Sequence, residues 1–265
     1  MISPPPGRQG HAVLDLPSRN LKAMKIAKLL GLSPTGARGR LLEIGCGSGG
    51  ISHWFGAEGP MGWDVEAVDV EDARLVRGGY SFNLVAGTDL PFEDASFDVV
   101  LTNHVIEHVG DEDAQRAHLR EVRRVLRPGG MAYLAVPCRW MLVEPHYRLP
   151  FLSWLPQSLA DAYVRVAGKG AYYDCRPLTA WRLESSLRAI GFIFAQKHGE
   201  ALRLTYELER PDAPFYRFVL RPIPERVYAL LRRVFPTLIY TLTPYPAVSS
   251  ASICRATSAQ DGSTP

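Results

Sequence analysis

Apolar positions along the chain follow two rhythms. Short solid runs such as Leu41-Leu42-Glu43-Ile44 and Val99-Val100-Leu101 read as strands buried on both faces. Longer stretches with apolar residues three and four apart read as helices. The first kind predicts strands over residues 40–45, 64–70, 82–86, 97–102 and 131–136. The second predicts a helix over 18–32, with Leu21, Met24, Ile26, Leu29 and Leu30 on one side and Gly31 to end it. Shorter helices are expected over 49–57 and, as a turn or two, over 71–77. A longer one spans 111–126, with Leu119, Val122, Val125 and Leu126 on one side and Pro128-Gly129-Gly130 to stop it. Strands alternating with helices predict an α/β protein with a parallel sheet covered on both faces.

The rhythm changes after Pro137. Residues 138–174 are rich in aromatics and prolines and do not alternate, which reads as a lid-like insertion over the carboxyl edge of the sheet. A helix over 178–190 and strands over 191–197 and 238–242 bring the expected sheet to seven, mostly parallel, strands. Between them, residues 200–235 interleave Arg203, Arg210, Arg217, Arg221, Arg226, Arg232 and Arg233 with Leu, Phe, Tyr and Val. The domain is expected over 18–245, with a flexible tail at 1–17 and a disordered one at 246–265.

Composition narrows the class only a little. Of 265 residues, 46% are hydrophobic and 22% charged, ordinary proportions for a globular chain. A net charge of +3 argues against a dedicated nucleic-acid binder. Cys46, Cys138, Cys175 and Cys254 are scattered with no Cys-x-x-Cys pair, which suits a reducing compartment rather than a disulfide framework or structural zinc. No apolar signal-peptide core precedes the first helix, and no run approaches the ~18 apolar residues of a membrane span. A cytoplasmic protein is expected.

The chemistry concentrates where strands end. Leu41-Leu42-Glu43-Ile44-Gly45-Cys46-Gly47-Ser48-Gly49-Gly50 is a strand running into a glycine-rich turn and a helix, where backbone can approach a ligand closely and helical N–H groups face it. Asp69 ends the second strand, where a carboxylate can accept ribose hydroxyls. Gly87-Thr88-Asp89-Leu90-Pro91-Phe92, Asn103-His104-Val105-Ile106-Glu107-His108 and Arg124-Val125-Leu126-Arg127-Pro128-Gly129-Gly130 follow in order.

In this order and spacing the four segments resemble the class I S-adenosylmethionine-dependent methyltransferases, and within them the broad methyltransferase type 11 group. The resemblance covers about residues 40–137. It implies a Rossmann-like doubly wound fold, S-adenosyl-L-methionine as cofactor, and methyl transfer to a small-molecule acceptor. By position, Glu43 would orient the methionine amino group. Gly45, Cys46, Gly47 and Gly49 would line methionine and ribose, and Asp69 would hold the ribose with Val70 beside it. Asp89 would take the adenine amino group with the Leu90 backbone alongside, and Asn103 and His104 would lie under the methionyl end.

Other readings compete. A nicotinamide-dependent oxidoreductase would prefer Gly-x-Gly-x-x-Gly, which fits less well and leaves Asp89 unexplained. A non-catalytic methyltransferase-like module is a further alternative. His104-x-x-Glu107-His108 has the spacing of inverted zinc proteases, but it straddles a strand end rather than a helix face, so no metal is assigned. Cys138 after Pro137 could be read as a nucleophile, yet the partner Pro-Cys motif is absent. His146 and His108 are the general-base candidates. Trp140, Tyr147, Phe151, Trp154, Tyr163, Tyr172 and Tyr173 suggest an apolar or ring-shaped acceptor. Val227, Leu230, Leu231 and Val234 beside the basic residues of 211–235 leave a peripheral membrane contact, and with it a lipid-linked acceptor, as an open reading.

Overall fold

A computed structural model describes residues 15–33, 39–231 and 235–245. The expected tail at 246–265, and residues 1–14 of the other, lie outside these residues, as do Arg232, Arg233 and Val234. The chain opens on α1 (Leu16–Leu29), β1 (Arg40–Ile44) and α2 (Gly50–His53), which a π-helical turn extends over Trp54–Glu58. Next come β2 (Asp64–Asp69), β3 (Ser81–Leu84), β4 (Phe97–Asn103), a 3-10 turn over Ile106–His108, α3 (Glu112–Val125) and β5 (Leu126–Pro137). The remainder is β6 (Val143–Glu144), β7 (Leu149–Pro150), α4 (Gln157–Val166), α5 (Ala180–Ile190), β8 (Phe192–Gln196), α6 (His198–Glu209), α7 (Glu225–Leu230) and β9 (Thr237–Pro244).

The main sheet has seven strands in the order β3-β2-β1-β4-β5-β9-β8. Neighbours from β3 to β5 are parallel, and β9 inserts antiparallel between β5 and β8. Successive residues of each strand face opposite sides. Leu42, Val100 and Leu134 meet Leu119 and Val122 of α3 and Leu183 and Leu187 of α5. Leu41, Leu101 and Tyr133 meet Ala23 and Ile26 of α1 and Ala201 of α6. Truncating Leu119 or Leu187 to Ala at this seam would cost about 2–5 kcal/mol.

Two local expectations are corrected. Residues 71–77 form no helix: Asp72 gathers Arg74 and Arg77, and the Leu75 and Val76 N–H groups donate to Ser48 O at 3.0 and 3.2 Å. The stretch is a strap across the glycine turn. β5 begins before Pro128 rather than at residue 131, because Leu126 is already extended (φ −73°, ψ 132°) where α3 stops. α3 itself starts where Asp111 accepts the Ala114 N–H at 3.0 Å, with Glu112 and Asp113 in its first turn.

The insertion after β5 builds a small core of its own from Tyr147, Leu149, Leu152, Ala160, Val164, Tyr173 and Cys175. It leaves and rejoins the sheet at one point: Cys138 bridges to Leu178, and the Arg139 N–H donates to Leu178 O at 3.0 Å. Cys138 is fully buried there, and burial pushes its thiol up, so it is a packing residue.

Candidate active site

β1 is flanked by β2 on one side and β4 on the other, so the strand order reverses at the carboxyl ends of β1 and β4. That is where an open α/β sheet leaves a crevice. The turn after β1 requires glycine: at Gly45, φ is +75° and an added Cβ would stand 2.4 Å from Val105 Cγ2 in the loop after β4. The Gly47 N–H donates to Asp69 Oδ2 at 2.8 Å, and Asp69 Oδ1 accepts the Val70 N–H at 2.7 Å. The carboxylate at the end of β2 thus holds the glycine turn from below.

The crevice opens into a cavity of about 740 Å³, within the range of about 300–1,000 Å³ usual for small-ligand sites. Glu43, Gly45, Cys46, Gly47, Asp69, Val70, Leu90, Asn103, His104, His108 and His146 all stand in its wall. Gly49 and Asp89 do not. Gly49 packs behind the turn, where a Cβ would meet Val76 O at 2.5 Å. Asp89 is exposed between two wall residues, Thr88 and Leu90. The Leu90 N–H, beside the position the resemblance gives to adenine, is taken by Glu121 Oε2 at 2.9 Å.

One end of the cavity is dressed for a charged amino-acid head. Glu43 is buried and accepts the Ser52 hydroxyl; burial pushes its carboxyl up to about 8 against the pull of Ser52 and Arg19. α1 brings Arg19 and Lys22 to the same wall, which sequence reasoning missed because both lie on a helix without a motif. Burial, with Lys25 and Arg19 nearby, holds Lys22 below the ordinary lysine value. Asn103 Oδ1 and Ser48 Oγ are buried with no hydrogen-bond partner and belong to wall residues. Orphaned buried polar atoms at a cavity wall fit a polar ligand.

The other end is a histidine cluster. His104 has φ +59°, uncommon for a non-glycine residue and typical of functional sites. Its Nδ1 lies 3.3 Å from Oε1 of Glu107, which is fully buried. Burial alone would raise Glu107; the contact with His104 and the charges of His104 and His108 outweigh it and hold the carboxyl below its usual range. His146, carried by the β6–β7 hairpin, pairs through Nδ1 with buried Glu144 Oε1 at 2.9 Å. Burial opposes its charge, but Glu144, Glu107 and Asp174 prevail and raise its pKa. The His108 and His146 rings stack edge-to-face at 5.2 Å. His118, buried under this end on the Thr102 hydroxyl at 3.0 Å, is pulled down to about 4 by burial.

A second concavity of about 760 Å³ lies between α3 and α5, lined by Arg116, Arg120, Arg123 and Arg124. It takes in Arg124, Leu126 and Pro128 of the run before β5, but neither the glycine turn, Asp69 nor the Asn103 loop.

Residues 42–134 match the family described as "Methyltransferase domain". They span β1 through most of β5, with the glycine turn, Asp69 and the Asn103 loop inside them. Over this third of its length the chain is similar to a methyltransferase domain. A ubiquinone biosynthesis O-methyltransferase of Chelativorans sp. (strain BNC1) is 30% identical to it over 131 residues, 45% of this chain and 49% of the relative. The chain spans about half the length of the curated relatives it matches. Among solved structures, the complex between the Haloferax volcanii Trm112 methyltransferase activator and a methyltransferase aligns with a TM-score of 0.52 at 18% identity, over 87% of this chain and 93% of that one. The [4+2]-cyclase SpnF aligns with a TM-score of 0.51 at 16% identity, over 90% and 85%. At such identity the likeness shows the fold of the methyltransferase domain alone.

Proposed function

We propose that the protein is an S-adenosylmethionine-dependent methyltransferase acting on a hydroxyl-bearing small molecule. The observation that carries this reading is one cavity whose wall presents the Asp69-braced glycine turn, the orphaned Asn103 Oδ1 and buried Glu43 together. Arg19 and Lys22 suit the methionine carboxylate; Glu43 and Asn103 Oδ1 suit its ammonium. Asp69 retains lone pairs for ribose hydroxyls, and the wall from Gly87 to Leu90 takes the base. S-adenosylmethionine, when bound, supplies a sulfonium methyl with a good leaving group.

Positioning is then much of the protein's work, and oriented reactants account for roughly 7–11 kcal/mol of a barrier. The acceptor proton goes to His104. Glu107 fixes the ring through Nδ1 and stabilises the imidazolium, leaving the other ring nitrogen for the acceptor hydroxyl. His108 and His146, the bases suggested by sequence, wall the acceptor end instead. The relative's printed role in ubiquinone biosynthesis makes a hydroxylated ring the first acceptor to try. Exposed Phe218 beside Arg217, together with exposed Leu230 and Leu231, supports a lipid-linked acceptor; failure to sediment with anionic vesicles would remove that support. Among the described residues no helix is long and apolar enough to cross a membrane.

Calorimetry with S-adenosylmethionine, S-adenosylhomocysteine and NAD tests the cofactor. Micromolar-range binding of the first two and none of NAD is expected. Binding of NAD alone would overturn the reading. Radiolabelled methyl transfer to a panel of catechols and hydroxyquinols then tests the acceptor.

A further inference from the structure

The insertion brings His146 and Cys175 against His108, which stands on the 3-10 turn after β4. His108 Nδ1 lies 3.7 Å from Cys175 Sγ, and His146 Nδ1 lies 3.8 Å from the same sulfur. One ligand atom from each of the three falls within 4.8 Å of the others. In a tetrahedral zinc site, Zn–N of about 2.0–2.1 Å and Zn–S of about 2.3 Å place nitrogen and sulfur about 3.5 Å apart. The two nitrogen–sulfur separations need to contract by only a few tenths of an ångström. The donors come from three distant segments: the 3-10 turn after β4, the β6–β7 hairpin and the loop before α5.

The charge around them points the same way. Glu107 is fully buried, and its Oε1 faces two imidazoles. Its neighbours are His104 Nδ1 at 3.3 Å and His108 Nε2 at 3.9 Å. Glu144, also fully buried, faces His146 Nδ1, and Asp174 Oδ1 stands 3.5 Å from Cys175 Sγ. Buried carboxylates are costly unless paired or drawn to a metal. A metal-bound histidine usually turns its other ring nitrogen to a carboxylate. His108 has that disposition, with Nδ1 toward Cys175 and Nε2 toward Glu107.

We propose that His108, His146 and Cys175 bind one divalent transition-metal ion of the zinc type, with the fourth position open to the cavity that His108 and His146 line. Three protein ligands and one open position is the pattern of metal sites that take a substrate oxygen. On binding, the thiol proton of Cys175 and the Nδ1 proton that His146 shares with Glu144 pass to solvent, and both atoms donate their electron pairs to the ion. His104, Glu107 and His146 form a second group within 4.8 Å, but it offers no thiolate, the ligand that selects zinc-like ions. The His-x-x-Glu-His run supplies only His108 here, so the inverted-protease arrangement is not reproduced. The site depends on none of the cofactor residues.

The test is cobalt titration of the chelator-stripped, full-length protein without S-adenosylmethionine. One equivalent of Co²⁺ should give a thiolate-to-metal charge-transfer band and the visible bands of tetrahedral cobalt, both erased by Zn²⁺. Cys175→Ala should lose the charge-transfer band, while Cys138→Ala keeps it, with circular dichroism unchanged in each. Glu107→Gln should weaken metal binding about 10–100-fold. Absence of a charge-transfer band in the unaltered protein, or its persistence in folded Cys175→Ala, would overturn the proposal.

Discussion

Gly47 and Asp69 are joined across the crevice: the glycine N–H donates to Asp69 Oδ2 at 2.8 Å. The residue expected to hold a ribose therefore also fixes the turn that would face the methionine. Asp69→Asn keeps an acceptor for Gly47 but loses the charge. It is expected to weaken S-adenosylhomocysteine about 10–100-fold by calorimetry, the loss of one charge-assisted hydrogen bond at roughly 1.5–3 kcal/mol. Asp69→Ala should do worse and raise amide exchange at Gly45 to Ser48. Unchanged affinity in both would remove the ribose assignment.

Glu43 gives a pH signature in the cofactor-free protein. Its native value of about 8 lies above the 4.5 of an unfolded chain. Below 4.5 both states hold the proton and nothing is lost. As pH rises from 4.5 to about 8 only the unfolded state releases it, so this group lowers stability across that window and imposes a constant cost above it. Glu43→Gln removes the effect. The melting point of the variant relative to the parent should climb from pH 4.5 to 8 and then level, at roughly 2–4 °C per kcal/mol. A pH-independent difference would refute the burial account.

Arg124 ties the 90–94 loop to α3. Its guanidinium donates to Phe92 O at 2.7 Å, Leu90 O at 3.1 Å, Asp94 Oδ1 at 2.8 Å and both oxygens of Glu121 at 2.7 Å. Arg124→Ala should free this loop, which carries the wall residue Leu90, without removing a side chain from the wall. Hydrogen exchange over 89–94 should rise, and S-adenosylhomocysteine should dissociate about tenfold faster, in line with the loss of one or two net hydrogen bonds. Exchange unchanged in that loop would show that Glu121 suffices to hold it.

His104→Asn separates binding from catalysis. With a hydroxyl acceptor, kcat should fall about 10²–10⁴-fold while cofactor affinity stays nearly constant. A fall in affinity with kcat preserved would make His104 part of the methionyl cradle instead of the base.

The sheet and the glycine turn were legible because their signals are local: solid apolar runs, positive-φ glycines and acids at strand ends. β5 starts early because Pro128-Gly129-Gly130 is a bulged entry into the strand, and a proline–glycine pair looks the same whether it breaks a chain or bends it. The 71–77 strap owes its shape to Ser48, 27 and 28 positions before Leu75 and Val76, which no window on that stretch contains. The acceptor end was least legible. Glu107 was visible only as part of a His-x-x-Glu-His run, Glu144 and Cys175 look unremarkable one by one, and only folding places the three beside His146. His146 and His108 stand in the wall as expected of candidate bases, but nothing in the sequence marks Glu107 and Glu144 as the buried carboxylates beside them.

The bridge between Cys138 and Leu178 gives the insertion a single doorway. Everything that shapes the acceptor end from above enters and leaves through neighbouring residues of the sheet, with a core of its own in between. Changing the length of a loop whose ends are already pinned costs little, because closure entropy grows only slowly with length. The insertion is therefore a replaceable unit, while His104, Glu107 and His108 stay with the segment after β4. A foreign segment grafted between Cys138 and Leu178 would meet an unchanged glycine turn and an unchanged His104, and would alter only the wall that the insertion supplies.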